Sequence, residues 1–317
     1  MAVVASGSIA FDYILTFKGR FRDHILLDKT HVLNLSFLVD ELTRRRGGVA
    51  GNYAHTLALL GCPCAILATA GADADEYRRW MEERGVDCRG WRVIPDEVSA
   101  TGFTTTDLDD NQLTGYYSGA MKMAGSLGLA DTVPNPEALI VGPNAPDAMA
   151  RLVREARSSG VRWVFDPAHQ LPHLSAADLI DGARGAWILI GNDYEMELIT
   201  QRTRRSIEDL LEICEVVVVT LGRLGSRIHT RSRTYETPPA PARREADPTG
   251  AGDAYRAGLV FGLLRGLPPE SAGRVASLSA TYAVEQPGTI EHTYTLAEFA
   301  ERYRDAFGEE LPDELRT

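Results

Sequence analysis

The chain has no run of about 18 consecutive apolar residues, so no segment is expected to cross a bilayer as a helix. It has no GxxxxGK(S/T) motif, which disfavours a P-loop. No GxGxxG follows a candidate strand with the required acid downstream, which disfavours a dinucleotide fold. Cysteine is scarce, at four residues, and Cys62-x-Cys64 lacks a second ligand pair. A zinc site is therefore not expected, and buried thiols of a reduced, cytoplasmic protein are. Seven histidines are scattered without metal-ligand spacing. Lysine and arginine together number 33 against 44 aspartates and glutamates, a net charge of −11. That balance argues against nucleic acid or an anionic membrane as partner. The opening MAVVASGSIAFDYIL lacks a basic leader and soon reaches Asp12, so it reads as a first strand.

What is present is an α/β pattern. From residue 138 onward, uniformly apolar runs such as ALIVG, AWILIGN and VVVVTLG alternate with helical segments. Such strands belong to a mostly parallel sheet covered by helices on both faces. TGFTTTDL and QLTGYYS flank Asp109-Asp110-Asn111 and read as a hairpin. With residues 12–40 it forms a small β lid. The expected division is a core of 1–11, 41–97 and 120–317 and a lid of 12–40 and 98–119. Asp73-x-x-Glu76 and Thr295-x-x-Glu298 read as capping boxes, and Arg44-Arg45-Arg46 as a solvated face.

The chemistry concentrates in Asp247-Pro-Thr-Gly-Ala-Gly-Asp253, which opens a helix. A helix N-terminus offers unpaired amides and a partial positive charge, a ready site for phosphate. Gly250 and Gly252 let the backbone approach a ligand closely, and Asp253 stands beside it as a candidate proton acceptor. Asn192 and Glu195, three apart after a strand, suit a magnesium shell built largely from water, or simply a helix cap. Thr220, Gly222 and Gly225 follow another strand and could hold nucleotide phosphates or form a turn. Gly48 and Asn52 open the first helix and could bond sugar hydroxyls. Asp12 is an acid in an apolar setting that needs partners. Phe103, Tyr116 and Tyr117 could stack on a flat ring or pack within the lid.

Together these stretches resemble the ribokinase-like (PfkB-type) carbohydrate kinases over essentially the whole chain. The likeness is carried by GGVAGNYAHTLALLG at 47–61 and DPTGAGDAYRAGLVFG at 247–262. GSIAFDYILTFKGRF, TTDLDDNQ and YYSGAM are most similar to the bacterial adenosine kinases of that pattern. The resemblance implies a ribokinase-like fold and transfer of the ATP γ-phosphate to the 5′-hydroxyl of a nucleoside, adenosine first. Asp253 would be the general base, with Gly250, Ala251 and Gly252 as the anion hole. Asn192 and Glu195 would organise Mg²⁺, and Thr220, Gly222 and Gly225 would line ATP. Ser8, Asp12, Gly48 and Asn52 would hold the ribose, with Ser36 and Tyr116 approaching the base from the lid. Arg256 would help neutralise phosphate or form a salt bridge. A monovalent cation such as K⁺ is a further cofactor of this reading, and a homodimer through lid strands its assembly. A ribokinase- or fructokinase-type sugar kinase, a broad-range nucleoside kinase and a non-catalytic ligand sensor remain alternatives. Two departures stand out: Tyr255 where a phenylalanine is common, and Phe103 one place later than the expected lid aromatic.

Overall fold

The computed structural model describes residues 2–25, 36–109 and 111–315. The chain opens with β1 (Val3–Ser6) and β2 (Ala10–Thr16), then β3 (Glu41–Gly47) and helix α1 (Val49–Leu59). It continues through β4 (Cys64–Gly71), α2 (Asp75–Glu82) and β5 (Asp87–Ile94) to a hairpin of β6 (Ala100–Thr106) and β7 (Gln112–Tyr117). Strands and helices then alternate: β8 (Ala138–Val141), α3 (Pro146–Ser159), β9 (Arg162–Phe165), α4 (Ala176–Ala183) and β10 (Ile188–Asn192). After α5 (Asp193–Thr203), α6 (Ile207–Leu211) and β11 (Val216–Thr220) comes the hairpin β12 (Ser226–Thr230) and β13 (Thr234–Thr237). Helices α7 (Ala251–Leu264), α8 (Pro269–Val284) and α9 (Leu296–Phe307) close the fold.

The large sheet runs β13-β12-β11-β10-β9-β8-β1-β4-β5. It is parallel from β5 to β11, and only the β12 and β13 end is antiparallel. Alternate residues of each strand enter different cores. Val3 and Ala5 pack with residues of α1, α7 and α8, while Val4 packs with residues of α3 and α4. Helices on both faces let these strands be apolar throughout. Chain order reverses at β1, which pairs with β4 on one side and β8 on the other, and ligands gather beyond the strand ends at such a switch point.

The small sheet runs β3-β2-β6-β7 and hangs from the C-terminal ends of β1 and β5. Its β2–β6 pairing is parallel and the other two are antiparallel. Residues 41–47 therefore belong to the small sheet, not to the core as the sequence suggests, and β2 begins at Ala10 rather than Asp12. ELTRRRG has no apolar alternation to reveal a strand. Its arginines are not merely solvated either: Arg44 lies 3.5 Å over the Phe11 ring, Arg45 donates to the Pro287 carbonyl at 2.9 Å, and Arg46 pairs with Glu76 at 2.8 Å. Of the expected lid, residues 26–35 and Asp110 lie outside the described residues.

One expected cap does not form. Helix α2 starts at Asp75, and Asp73 instead accepts from the amide and hydroxyl of Ser99, both at 2.8 Å. The Thr295–Glu298 box is present at α9. The four cysteines are free and buried. No described helix is long and apolar enough to cross a membrane.

Candidate active site

The N-terminus of α7 is built to leave amides open. Asp247 accepts from the Thr249 amide at 2.9 Å and the Gly288 amide at 3.0 Å, fixing the approach to the helix. Gly250 caps it at φ 82°, and a Cβ there would stand 2.8 Å from the Thr289 Cβ, so only glycine fits without strain. The Ala251 amide is used, donating to the Pro248 carbonyl at 3.2 Å. Among the described residues the Gly250 and Gly252 amides have no such partner. Of the three expected anion-hole donors, two are open and one is occupied.

Asp253 follows in the first turn of α7. Its Oδ2 accepts from Asn52 Nδ2 at 2.7 Å, joining α1 to α7. Burial pushes the Asp253 carboxyl up to about 7, against the opposing pull of Arg256 and the Asn52 bond. Asn52 itself is buried, and among the described residues its Oδ1 has no hydrogen-bond partner.

Behind this pair lies a polar network that the sequence reading missed. The Tyr53 hydroxyl donates to Asp166 Oδ2 at 2.5 Å, and Arg256 Nη2 donates to Asp166 Oδ1 at 3.0 Å. Arg256 also reaches Glu195 Oε2 at 3.4 Å. Arg256 is thus spent on carboxylates. Asp166 stands just past the end of β9, as Asn192 and Thr220 stand at the ends of β10 and β11, and this placement was its available signal.

Asn192 and Glu195 form a reciprocal cap: Asn192 Oδ1 accepts from the Glu195 amide at 2.7 Å, and Glu195 Oε2 from the Asn192 amide at 2.8 Å. Burial raises the Glu195 pKa, and Arg256 opposes the rise. No three His, Cys, Asp or Glu side chains converge as a metal cage among the described residues. With Oε2 engaged, Glu195 could touch a metal only through its other oxygen, which suits a water-rich magnesium shell. Thr220 pairs with Asn192 across neighbouring strands. Gly222 and Gly225 take φ 56° and 90°, and a Cβ at Gly225 would lie 2.0 Å from the Thr237 carbonyl oxygen. That clash explains Gly225 by the turn itself.

The small sheet supplies the other wall. Gly48, at φ 88°, starts α1 so close to Ser8 that a Cβ would stand 2.6 Å from the Ser8 carbonyl oxygen. The Ser8 hydroxyl accepts from the Val49 amide at 3.2 Å. Asp12, Gly102 and Tyr116 lie in one row across β2, β6 and β7, so their side chains share a face. A Cβ on Gly102 would be 2.8 Å from Asp12 Oδ1, and one on Gly47 2.6 Å from Oδ2. Two glycines therefore make room for the Asp12 carboxylate, which accepts no hydrogen bond from another described residue. Burial raises its pKa, with the Asp247 charge adding to the rise.

The same row explains one departure. An aromatic at 102 would strike Asp12, so Phe103 takes the opposite face and stacks on Tyr13 at 5.1 Å. Tyr117 shares that outer face and donates to Glu97 at 2.9 Å. Of the three expected stacking residues only Tyr116 faces inward, its hydroxyl 3.9 Å from Met121 Sδ and its ring 6.4 Å from His169. Tyr255 is explained too, because its hydroxyl bonds Ser226 Oγ at 2.6 Å. Ser36 is exposed, with no hydrogen bond to another described residue.

Known proteins share this fold. The pattern of the pfkB family carbohydrate kinases matches residues 17–295. A nucleoside kinase of Methanothermobacter thermautotrophicus is 33% identical over 315 residues, 98% of each chain. The structure of Burkholderia thailandensis nucleoside kinase in complex with inosine superposes with a TM-score of 0.88 at 37% identity, covering 98% of this chain and 99% of that one. The same enzyme in complex with ADP-inosine gives 0.85 at 38%, covering 98% and 97%.

Proposed function

The chain belongs to the pfkB family of carbohydrate kinases, phosphotransferases with a hydroxyl acceptor, and on that premise we propose that it is an ATP-dependent nucleoside kinase. Its acceptor is the 5′-hydroxyl of a ribose, with adenosine among the substrates. The reading rests above all on Asp253, a carboxyl burial pushes up to about 7, at a helix N-terminus whose glycine amides are open. Asp253 takes the proton of the attacking hydroxyl, and Asn52 orients it. The amides of Gly250 and Gly252, aided by the helix dipole, stabilise charge on the transferring phosphoryl group. Asn192 and Glu195 would hold a Mg²⁺, which would supply neutralisation of the phosphate charge. Thr220 and Gly222 line the ATP phosphates.

Asp12 accepts from ribose hydroxyls, which gives a role to a carboxylate with no hydrogen-bond partner among the described residues, and Ser8, Gly48 and Asn52 complete that wall. Tyr116 borders the base. The small sheet closes over the nucleoside and excludes water that would otherwise consume ATP. A broader base range than adenosine alone is favoured by the inosine bound to the Burkholderia relative. The outer face of the small sheet exposes Leu42, Phe103, Leu113 and Tyr117, which suits a homodimer through these sheets. The four unpaired thiols fit a reducing, cytoplasmic setting.

The decisive experiment is a panel of adenosine, inosine, cytidine, ribose and fructose with ATP and Mg²⁺, scored by ADP and by the phosphorylated product. A nucleoside 5′-monophosphate is the expected product. Turnover of the free sugars alone would make it a sugar kinase, and no ADP with any acceptor a binding protein.

A further inference from the structure

A buried guanidinium stands directly behind the anion loop. Arg256 lies at the start of α7 with its side chain only 6% exposed. Its Nη2 donates to Asp166 Oδ1 at 3.0 Å and reaches Glu195 Oε2 at 3.4 Å, and its Nε lies against Asp166 Oδ2. Asp166 is fully buried and is held from the far side by the Tyr53 hydroxyl. One arginine thereby ties together α1, the end of β9, α5 and α7.

Gly252 shows how close this charge comes to the loop. A Cβ on Gly252 would stand 2.8 Å from Arg256 Nη1, so the guanidinium fills the space a side chain would take. The backbone it presses on carries an amide with no hydrogen-bond partner among the described residues. Asp166 and Glu195 offset part of the Arg256 charge, and the remainder lies close behind the loop, in a region with little water, where charge develops in phosphoryl transfer.

We infer that Arg256 is a positioning residue for phosphoryl transfer: clamped by Asp166 and Glu195, it braces the anion loop from behind and sets a positive charge against its amides. The inference rests on the reading of this loop as the anion hole and of Asp253 as the base. Arg256 acts through the backbone of Gly252 and the carboxylate of Glu195 and touches no substrate itself. Arginine suits the post because its planar fork meets two carboxylates at once, which the single ammonium of lysine cannot match.

The test uses the full chain with ATP, Mg²⁺ and the best nucleoside of the panel. Arg256→Met is expected to lower kcat by roughly 100-fold, as loss of one preorganised electrostatic group does. The nucleoside KM should stay within about threefold, since no ground-state contact is removed. Arg256→Lys should recover about tenfold of the lost kcat, because the charge survives while the fork does not. Removing one partner of a buried pair also strains the fold, so Arg256→Met is paired with Asp166→Asn in a double variant. That variant should regain thermal stability yet stay slow, and it carries the test if the single variant does not fold.

Wild-type kcat in Arg256→Met, a KM rise as large as the kcat loss, or a lysine variant no better than methionine overturns the inference. So does a double variant whose kcat returns together with its stability. Asp253→Asn, assayed alongside, separates the two readings. If it is inactive while Arg256→Met is unimpaired, only the role of Arg256 falls. If it turns over normally, the reading of the site falls first.

Discussion

Asn52 donates its side-chain amide to Asp253 at 2.7 Å, joining the first helix of the chain to the seventh across 201 residues. The bond holds the carboxylate at the mouth of the anion loop and stabilises its charged form. It makes the two residues one functional unit, and the first predictions concern that unit.

Asp253→Asn should cut turnover by about 10²–10⁴-fold, the usual worth of general-base assistance. Nucleoside affinity, measured by calorimetry, should change little. Near wild-type turnover in this variant would exclude Asp253 as the base.

The base must be ionised to work, and its pKa in the folded protein is about 7. The rate constant kcat/KM should therefore fall as pH drops through about 7 and level off above it. Asn52→Ala removes a bond that favours the ionised form, so its acidic limb should move to higher pH. An unmoved limb would separate Asn52 from the protonation of Asp253.

Asp253 has a linked effect on stability. Its folded pKa lies above the ordinary value of 3.8, so between the two the folded protein binds more protons than the unfolded chain. Stability should decline as pH rises through that window. Asp253→Asn abolishes this contribution, and its Tm advantage over the parent should widen up to about pH 7 and then hold. A constant Tm difference across that range would contradict the raised pKa.

Asp12→Ala should act on binding. Hydrogen bonds to a charged group are worth about 1.5–3 kcal/mol, so the nucleoside KM should rise roughly 10- to 100-fold. An unaltered KM would remove the ribose from Asp12.

Gly250→Ala should damage both fold and turnover. Forcing an L-residue into the left-handed region costs about 1–2 kcal/mol, and the new methyl would also crowd Thr289. A lowered Tm with a larger fall in kcat than in nucleoside affinity is expected. A variant with parental Tm and kcat would show that the loop tolerates a side chain.

The large sheet was legible because both its faces are buried, which makes its strands plainly apolar. The small sheet was harder to read. Strand β3 is mostly exposed and carries three arginines in succession, so neither propensity nor alternation marks it. The anion loop, Asn52 and Asp12 could be found from local pattern, because glycines and isolated acids stand out in sequence. The Asp166–Arg256 pair spans 90 residues and depends on how β9 and α7 meet, which no local window contains. The split between Tyr116 and Phe103 needed the register of β2 against β6, and a one-residue step reverses the face. The Asn192–Glu195 pair was read as metal organiser or cap, and its hydrogen bonds form the cap.

The small sheet is threaded by two separate excursions of the backbone, one entering after β1 and leaving at α1, the other entering after β5 and leaving after β7. Its two central strands, β2 and β6, come from different excursions and pair in parallel. Their pairing joins residues about 90 positions apart, so by the cost of long-range contacts the cover should consolidate after its base. The same threading means that it cannot be cut out or grafted as one cassette. Any exchange with a relative must carry both strand pairs and all four crossings together.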